Sequence, residues 1–154
     1  MQNAISNALK SKRIIPRDIQ DSFKSFRSKM NHHIVHTPSL EFFERINMLK
    51  IEGRSTSFFT DSAFTELRSV IDEHLEENPR LFCCLKFDLI NISTVKALFE
   101  LVKLLNKYHV IGKQVKLEWV ISDGDEDMLD TANNLRSYAD FPFSILLCAD
   151  FDDL

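Results

Sequence analysis

Leu81-Phe82-Cys83-Cys84-Leu85-Lys86-Phe87-Asp88-Leu89-Ile90 runs directly into Asn91-Ile92-Ser93-Thr94-Val95-Lys96. The first ten residues end in alternation, with Leu85, Phe87 and Leu89 on one side and Lys86 and Asp88 on the other. That period of two, within an apolar run, predicts a strand in the middle of a sheet. Beyond Ser93 the period changes. Val95, Leu98, Leu101, Val102 and Leu105 recur at helical spacing, which predicts a helix over about Thr94 to Tyr108, with Gly112 just past its end. The polar residues between strand and helix suit a cap, and a Ser N-cap is the simplest reading.

The same alternation of strand and helix extends in both directions. Downstream, Val115, Leu117, Trp119 and Ile121 alternate with Lys116 and Glu118 as a strand. Asp123 to Asp127 opens a helix carrying Met128, Ala132 and Leu135, where acidic residues oppose the positive end of the helix dipole. Phe143 to Leu147 reads as a last short strand. Upstream, Leu40 to Phe43 and Met48 to Ile51 read as a hairpin around Arg45-Ile46-Asn47. Gly53-Arg54-Ser55-Thr56 reads as a polar loop. Asp61 or Ser62 can cap a helix bearing Phe64, Leu67, Ile71 and Leu75, which Asn78-Pro79 stops. The order is ββαβαβαβ, an α/β fold with a mixed sheet of about five strands and three helices packed against it.

The 154 residues are enough for one domain with its own core. Three glycines and four prolines exclude collagen-like and Pro/Gly-rich disordered classes. No apolar run reaches the roughly 18 residues of a membrane span, and no signal-peptide pattern opens the chain, so a cytoplasmic protein is expected. The charge is uneven. Residues 1–36 hold seven Lys or Arg against two Asp, a net +5, which leaves −9 for residues 37–154 of a chain whose total is −4. We therefore divide the chain into a basic arm, 1–36, and a body, 37–154. In the arm, Ile19, Phe23, Phe26 and Met30 form one helical face, suited to its own domain, to a dimer mate, to a partner groove or to anionic lipid. A pI near 5.7 argues against a nucleic-acid partner.

Templates for enzymatic chemistry fail. No phosphate-binding glycine loop, no nucleophile elbow and no zinc-binding His pair occurs. Asp123, Asp125 and Asp127 match the first, third and fifth positions of a calcium loop. The sixth position is Met128 instead of Gly and the twelfth is Asn134 instead of Glu. His32, His33 and His36 have no accompanying carboxylate or thiol. Cys83, Cys84 and Cys148 lie in apolar runs and read as reduced core thiols. No metal, cofactor or catalytic residue is assigned.

Five stretches carry a resemblance: Thr37-Pro38-Ser39-Leu40-Glu41-Phe42, Leu49-Lys50-Ile51-Glu52-Gly53-Arg54-Ser55, Asn91-Ile92-Ser93-Thr94-Val95-Lys96 followed by Trp119, Asp125-Glu126-Asp127-Met128, and Pro142-Phe143. In this order they resemble the SiaC family of bacterial regulatory phosphoproteins, from Thr37 to about Leu147. The resemblance implies a STAS-like fold related to anti-sigma-factor antagonists. It implies a non-enzymatic switch, phosphorylated on a hydroxyl at the strand–helix junction by a Ser/Thr protein kinase and dephosphorylated by a PP2C-type phosphatase. The unphosphorylated form is expected to bind and activate a diguanylate cyclase, linking it to cyclic-di-GMP signalling and biofilm formation. The family usually shows Asn-Thr-Ser-Ser at the junction. Here Ile92 stands at the first hydroxyl, so Ser93 and Thr94 are the phosphoacceptor candidates. Arg54, Ser55, Phe58, Phe59, Asn91 and Lys96 are the partner-binding candidates; Phe58 and Phe59 replace an acidic-polar loop with an aromatic one and read equally as interface anchors or as core. The second reading is a constitutive interaction module, a homodimer through the arm included, that has lost the phospho-switch.

Overall fold

The structure, a computed structural model, describes residues 12–14, 37–56 and 60–149, with residues 12–14 and 60–63 described as backbone only. The helical stripe of the arm and the Phe58-Phe59 pair lie outside the described residues.

The elements follow in the order β1 (Lys12–Ile14), β2 (Ser39–Phe43), β3 (Met48–Ser55), α1 (Thr60–Glu77), β4 (Arg80–Ile90), α2 (Ile92–Val110), β5 (Gln114–Ser122), α3 (Glu126–Arg136) and β6 (Phe143–Cys148). The six strands lie side by side in sequence order. β1, β2 and β3 pair antiparallel, and β3, β4, β5 and β6 pair parallel. The sheet is therefore mixed, and the arm adds a short edge strand to the five read from the sequence. Asn47, in the left-handed conformation at φ 51°, closes the hairpin after a 3-10 turn at Glu44–Ile46. Asn tolerates that region better than most residues.

Each parallel connection moves one strand further in the same direction. Right-handed crossovers taken in one direction place all three helices on the same face. The burial pattern agrees. Leu49, Ile51, Leu81, Cys83, Leu85, Phe87, Val115, Leu117, Trp119 and Ile121 alternate along the strands and are buried against Phe64, Leu67, Ile71, Leu98, Leu101 and Leu105 from the helices. The opposite face carries Lys50 and Glu52, paired at 3.2 Å, with Cys84, Lys86 and Glu118 beside them. Cys84 and Cys148 are half-buried, so of the three thiols only Cys83 belongs to the closed core. Burial pushes the Cys83 thiol up to about 12, and burial together with the Glu118 carboxylate raises that of Cys84.

The end of β3 differs from the sequence reading. Gly53-Arg54-Ser55 continues β3 instead of forming a loop. The pairing steps from Gly53 opposite Phe87 to Arg54 opposite Leu89, a bulge that passes over Asp88, and Gly53 has φ 107°. Glycine adopts that conformation without strain, which the polar composition of the segment conceals. The bulge also turns Leu89 out of the alternation, leaving it 46% exposed where Leu85 and Phe87 are buried.

Candidate functional site at the strand–helix junction

Because β3 to β6 are parallel, their carboxyl ends reach one edge of the sheet. There the Asn91 backbone N–H donates to Ser55 O at 3.2 Å, and the Asp123 N–H donates to Cys148 O at 2.8 Å. The first contact ties the end of β3 to the turn between β4 and α2, so segments 39 residues apart in sequence share one polar cluster.

The helix begins two residues earlier than the apolar spacing indicates, at Ile92, and its cap is Asn91 instead of Ser93. The Asn91 Oδ1 accepts the Thr94 backbone N–H at 3.0 Å, which satisfies one of the first-turn donors that a helix leaves unpaired. Hydroxyl residues follow, but the helix starts one residue after Asn91, so the capping position falls on Asn91 and Ser93 and Thr94 lie inside the first turn. The Thr94 hydroxyl has one proton and two acceptors in reach, Ser55 O at 2.9 Å and Asn91 Oδ1 at 3.0 Å. Ser55 Oγ lies 2.8 Å from Thr94 Oγ1 and donates to it while Thr94 uses its proton elsewhere. Ser55 and Thr94 have no exposed surface.

The junction residues therefore separate by accessibility. Thr94 and Ser55 are sealed inside and hold the turn together. Ser93, at the second helical position, is half-buried. Ile92, at the first, is 73% exposed, and Leu89 stands out shortly before it. Arg54 is exposed immediately before Ser55. Lys96 is exposed one turn along α2, at the mouth of a groove of about 640 Å³ between the three helices. That groove is lined by Phe64, Arg68, Val95, Phe99, Leu135 and Tyr138 among others, with Phe99 and Tyr138 edge to face at 5.0 Å between centroids. The structure thus brings Ser55, Asn91 and Thr94 into contact and sets Arg54, Ser93 and Lys96 around them. The Ser55–Thr94 contact has no signal in either segment alone, and the exposure of Leu89 follows from the bulge at Asp88, which shows only in the register of β4 against β3.

Asp125, one of the three carboxylates at calcium-loop spacing, caps α3 by accepting the Met128 N–H at 3.1 Å. Among the described residues no three His, Cys, Asp or Glu side chains gather in a metal-holding arrangement, and no helix is long and apolar enough to cross a membrane.

The molecule is a one-sided α/β sandwich with a capped, hydroxyl-bearing strand–helix turn beside the exposed Leu89 and Ile92. The chain belongs to the SiaC family of regulatory phosphoproteins, whose family profile matches residues 29–147. An uncharacterized protein of Pseudomonas aeruginosa is 26% identical over 110 residues, which are 71% of this chain and 87% of that protein. The crystal structure of apo-SiaC from Pseudomonas aeruginosa superposes with a TM-score of 0.66 at 22% identity, covering 75% of this chain and 94% of that one. The structure of the diguanylate cyclase SiaD in complex with its activator SiaC, from the same organism, gives 0.69 at 23% identity, covering 75% and 96%. At these identities the superpositions show the shared fold.

Proposed function

We propose that this chain is a phosphorylation-controlled partner-switching protein whose unphosphorylated form binds and activates a diguanylate cyclase. It acts as a binding partner, and the cyclase does the chemistry. A Ser/Thr protein kinase and a PP2C-type phosphatase set its state, and Ser93 is the phosphoacceptor. The observation that carries this reading is the separation of the two candidate hydroxyls. Thr94 is fully buried and already hydrogen-bonded on both sides, whereas Ser93 borders solvent at the start of α2. Membership of a family of regulatory phosphoproteins supports it. So does the likeness in fold to the SiaC of Pseudomonas aeruginosa, the activator of the cyclase SiaD with which it forms a complex.

A phosphate on Ser93 adds about −1.5 to −2 charges at a helix N-terminus, where the dipole and free N–H groups favour it within the protein. The same charge sits beside the exposed Leu89 and Ile92, where an apolar or acidic partner surface would have to desolvate it. Arg54, Asn91 and Lys96 form the polar part of the proposed contact surface, around the buried Ser55. Phe58 and Phe59, outside the described residues, remain candidates for the same contact by sequence alone.

The test measures binding of the full-length chain to a diguanylate cyclase of the same cells, with phosphate located by mass spectrometry. Wild type and Ser93→Ala should bind alike, Ser93→Ala should lose the label, and Ser93→Asp should bind about tenfold more weakly, equivalent to about 1.4 kcal/mol. The site assignment fails if both variants bind like wild type and labelling persists. A cyclase that binds a chain never labelled at any residue would instead favour the constitutive module, towards which the exposed Ile92 in the family's hydroxyl position already points.

A further inference from the structure

At the opposite edge of the sheet, where the parallel strands begin, a second cleft of about 530 Å³ opens between the hairpin turn, the starts of β4 and β5, the end of α2 and Pro142. Its size falls within the roughly 300–1,000 Å³ of small-molecule sites. Its lining includes Arg80, His109, Lys113 and Lys116, with Asn47 and Gln114 as further donors, and holds no carboxylate. This is unexpected on a body whose net charge is −9 by sequence. Among the described residues, none of Arg80, Lys113 and Lys116 takes part in an ion pair.

The end of α2 accounts for part of the cluster, because cations favour the negative end of a helix dipole. That explains His109, which lies in the last turn of α2, but Arg80 and Lys116 come from β4 and β5. Their positions are fixed by the sheet. Arg80 is paired with Gln114, and Lys116 with Phe82. The backbone between them is held by Gln114 N–H to Pro79 O at 2.8 Å and Phe82 N–H to Asn47 O at 2.7 Å. Lys113 Nζ is steadied by Asn78 O at 3.3 Å, and Lys116 Nζ lies 5.5 Å from the centre of the Phe82 ring. Several like charges on a rigid rim repel one another, and an anion between them relieves that repulsion. The walls supply apolar surface from Ile46, Phe82 and Pro142.

We infer that this cleft binds a phosphate ester of nucleotide size, with its phosphates between Arg80, Lys113 and Lys116 and its apolar or ring portion against Phe82. The site lies at the other end of the strands from the Asn91–Thr94 junction, so it is a separate input to the protein and does not depend on the phospho-switch.

The experiment is titration calorimetry of the full-length chain with ATP, pyrophosphate and adenosine. Saturable binding of ATP with a dissociation constant below about 1 mM is expected, with adenosine binding at least about tenfold more weakly, because the charged contacts supply most of the affinity. Arg80→Gln and Lys116→Gln should each weaken ATP binding about tenfold. Lys103→Gln, which removes the same charge from the far side of α2, should leave it unchanged. Pyrophosphate binding as tightly as ATP would keep the anion site and overturn the role given to Phe82. Absence of saturable binding by both phosphate compounds overturns the inference, as does an equal loss from all three substitutions, which would mark a diffuse charge effect. Because Ser93 is untouched throughout, these outcomes do not bear on the switch.

Discussion

Ser55 Oγ and Thr94 Oγ1 lie 2.8 Å apart, both without exposed surface, at the ends of segments separated by 39 residues. The pair locks the last residue of β3 to the first turn of α2. It also gives the junction one hydroxyl reserved for structure and one, on Ser93, that borders solvent. Under the function proposed above, that division leaves Ser93 as the side chain a kinase would reach without unfolding the turn.

The hydroxyl pair should behave as a coupled unit. Thr94→Val keeps the shape of the side chain but leaves Ser55 Oγ without its acceptor in a closed site, so it should cost about 1–3 kcal/mol. Ser55→Ala leaves Thr94 its bonds to Ser55 O and Asn91 and should cost about 1 kcal/mol. In urea denaturation of the singles and the double, the coupling should exceed about 0.5 kcal/mol. Strict additivity would mean that the two hydroxyls do not meet in solution.

Asn91 and Ser93 offer a direct contrast between two assignments of the cap. Asn91→Ala removes the acceptor of the Thr94 N–H and should lower stability by about 1 kcal/mol, while Asn91→Asp should restore most of it. Ser93→Ala should change stability by less than about 0.5 kcal/mol, as expected for a residue outside the cap. The reverse ranking in thermal unfolding would return the cap to Ser93.

The element order is legible in the sequence because each element has a period of its own: two for β4 and β5, and near 3.6 for α1, α2 and α3. The junction is legible as a place, because polar residues fall where one period yields to the other. Its internal arrangement is not. Asn91, Ser93 and Thr94 are all competent caps, and only the backbone geometry of the turn selects Asn91. Ser55 looks like loop because Gly53 breaks the strand pattern, yet β3 continues through Gly53, opposite the bulge at Asp88 of β4, to Ser55. Leu89 follows the buried alternation in sequence, and the bulge at Asp88 in its own strand, seen only in the pairing with β3, exposes it. Contacts across strands, and shifts imposed by a neighbour, leave no periodic trace in one segment.

The resemblance places Ile92 where the family's first hydroxyl would stand, and the residue is 73% exposed at the first position of α2. Ile92→Thr should therefore fold with a stability change under about 0.5 kcal/mol, since little burial is lost. Under our reading of the junction it should also create a second phosphoacceptor. Incubation with the kinase that labels this chain, followed by peptide mapping, should find phosphate at residue 92 in the variant. Phosphate confined to Ser93 in that variant would show that the kinase reads the residues around Ser93 and not exposure alone.

Cys83 provides a pH dependence with a defined sign. Burial raises its thiol from 9.0 to about 12, so the folded state holds the proton more tightly than the unfolded chain does. The contribution is fully present below pH 9 and is lost as pH rises towards 12, where the loss amounts to roughly 4 kcal/mol for a shift of about three units. Tyr108, also pushed up to about 12 by burial and its hydrogen bond to Asp72, titrates in the same window. The comparison must therefore be between wild type and Cys83→Ala, in which the tyrosine is common to both. At about pH 8 the variant should be the less stable, because it leaves a small cavity in the core. Above pH 9 the difference should shrink by up to about 1.4 kcal/mol per pH unit, read as converging urea midpoints. Midpoints that stay parallel from about pH 8 to about pH 11 would mean that the Cys83 thiolate is not penalised in the folded protein, and that the core beneath β4 admits water.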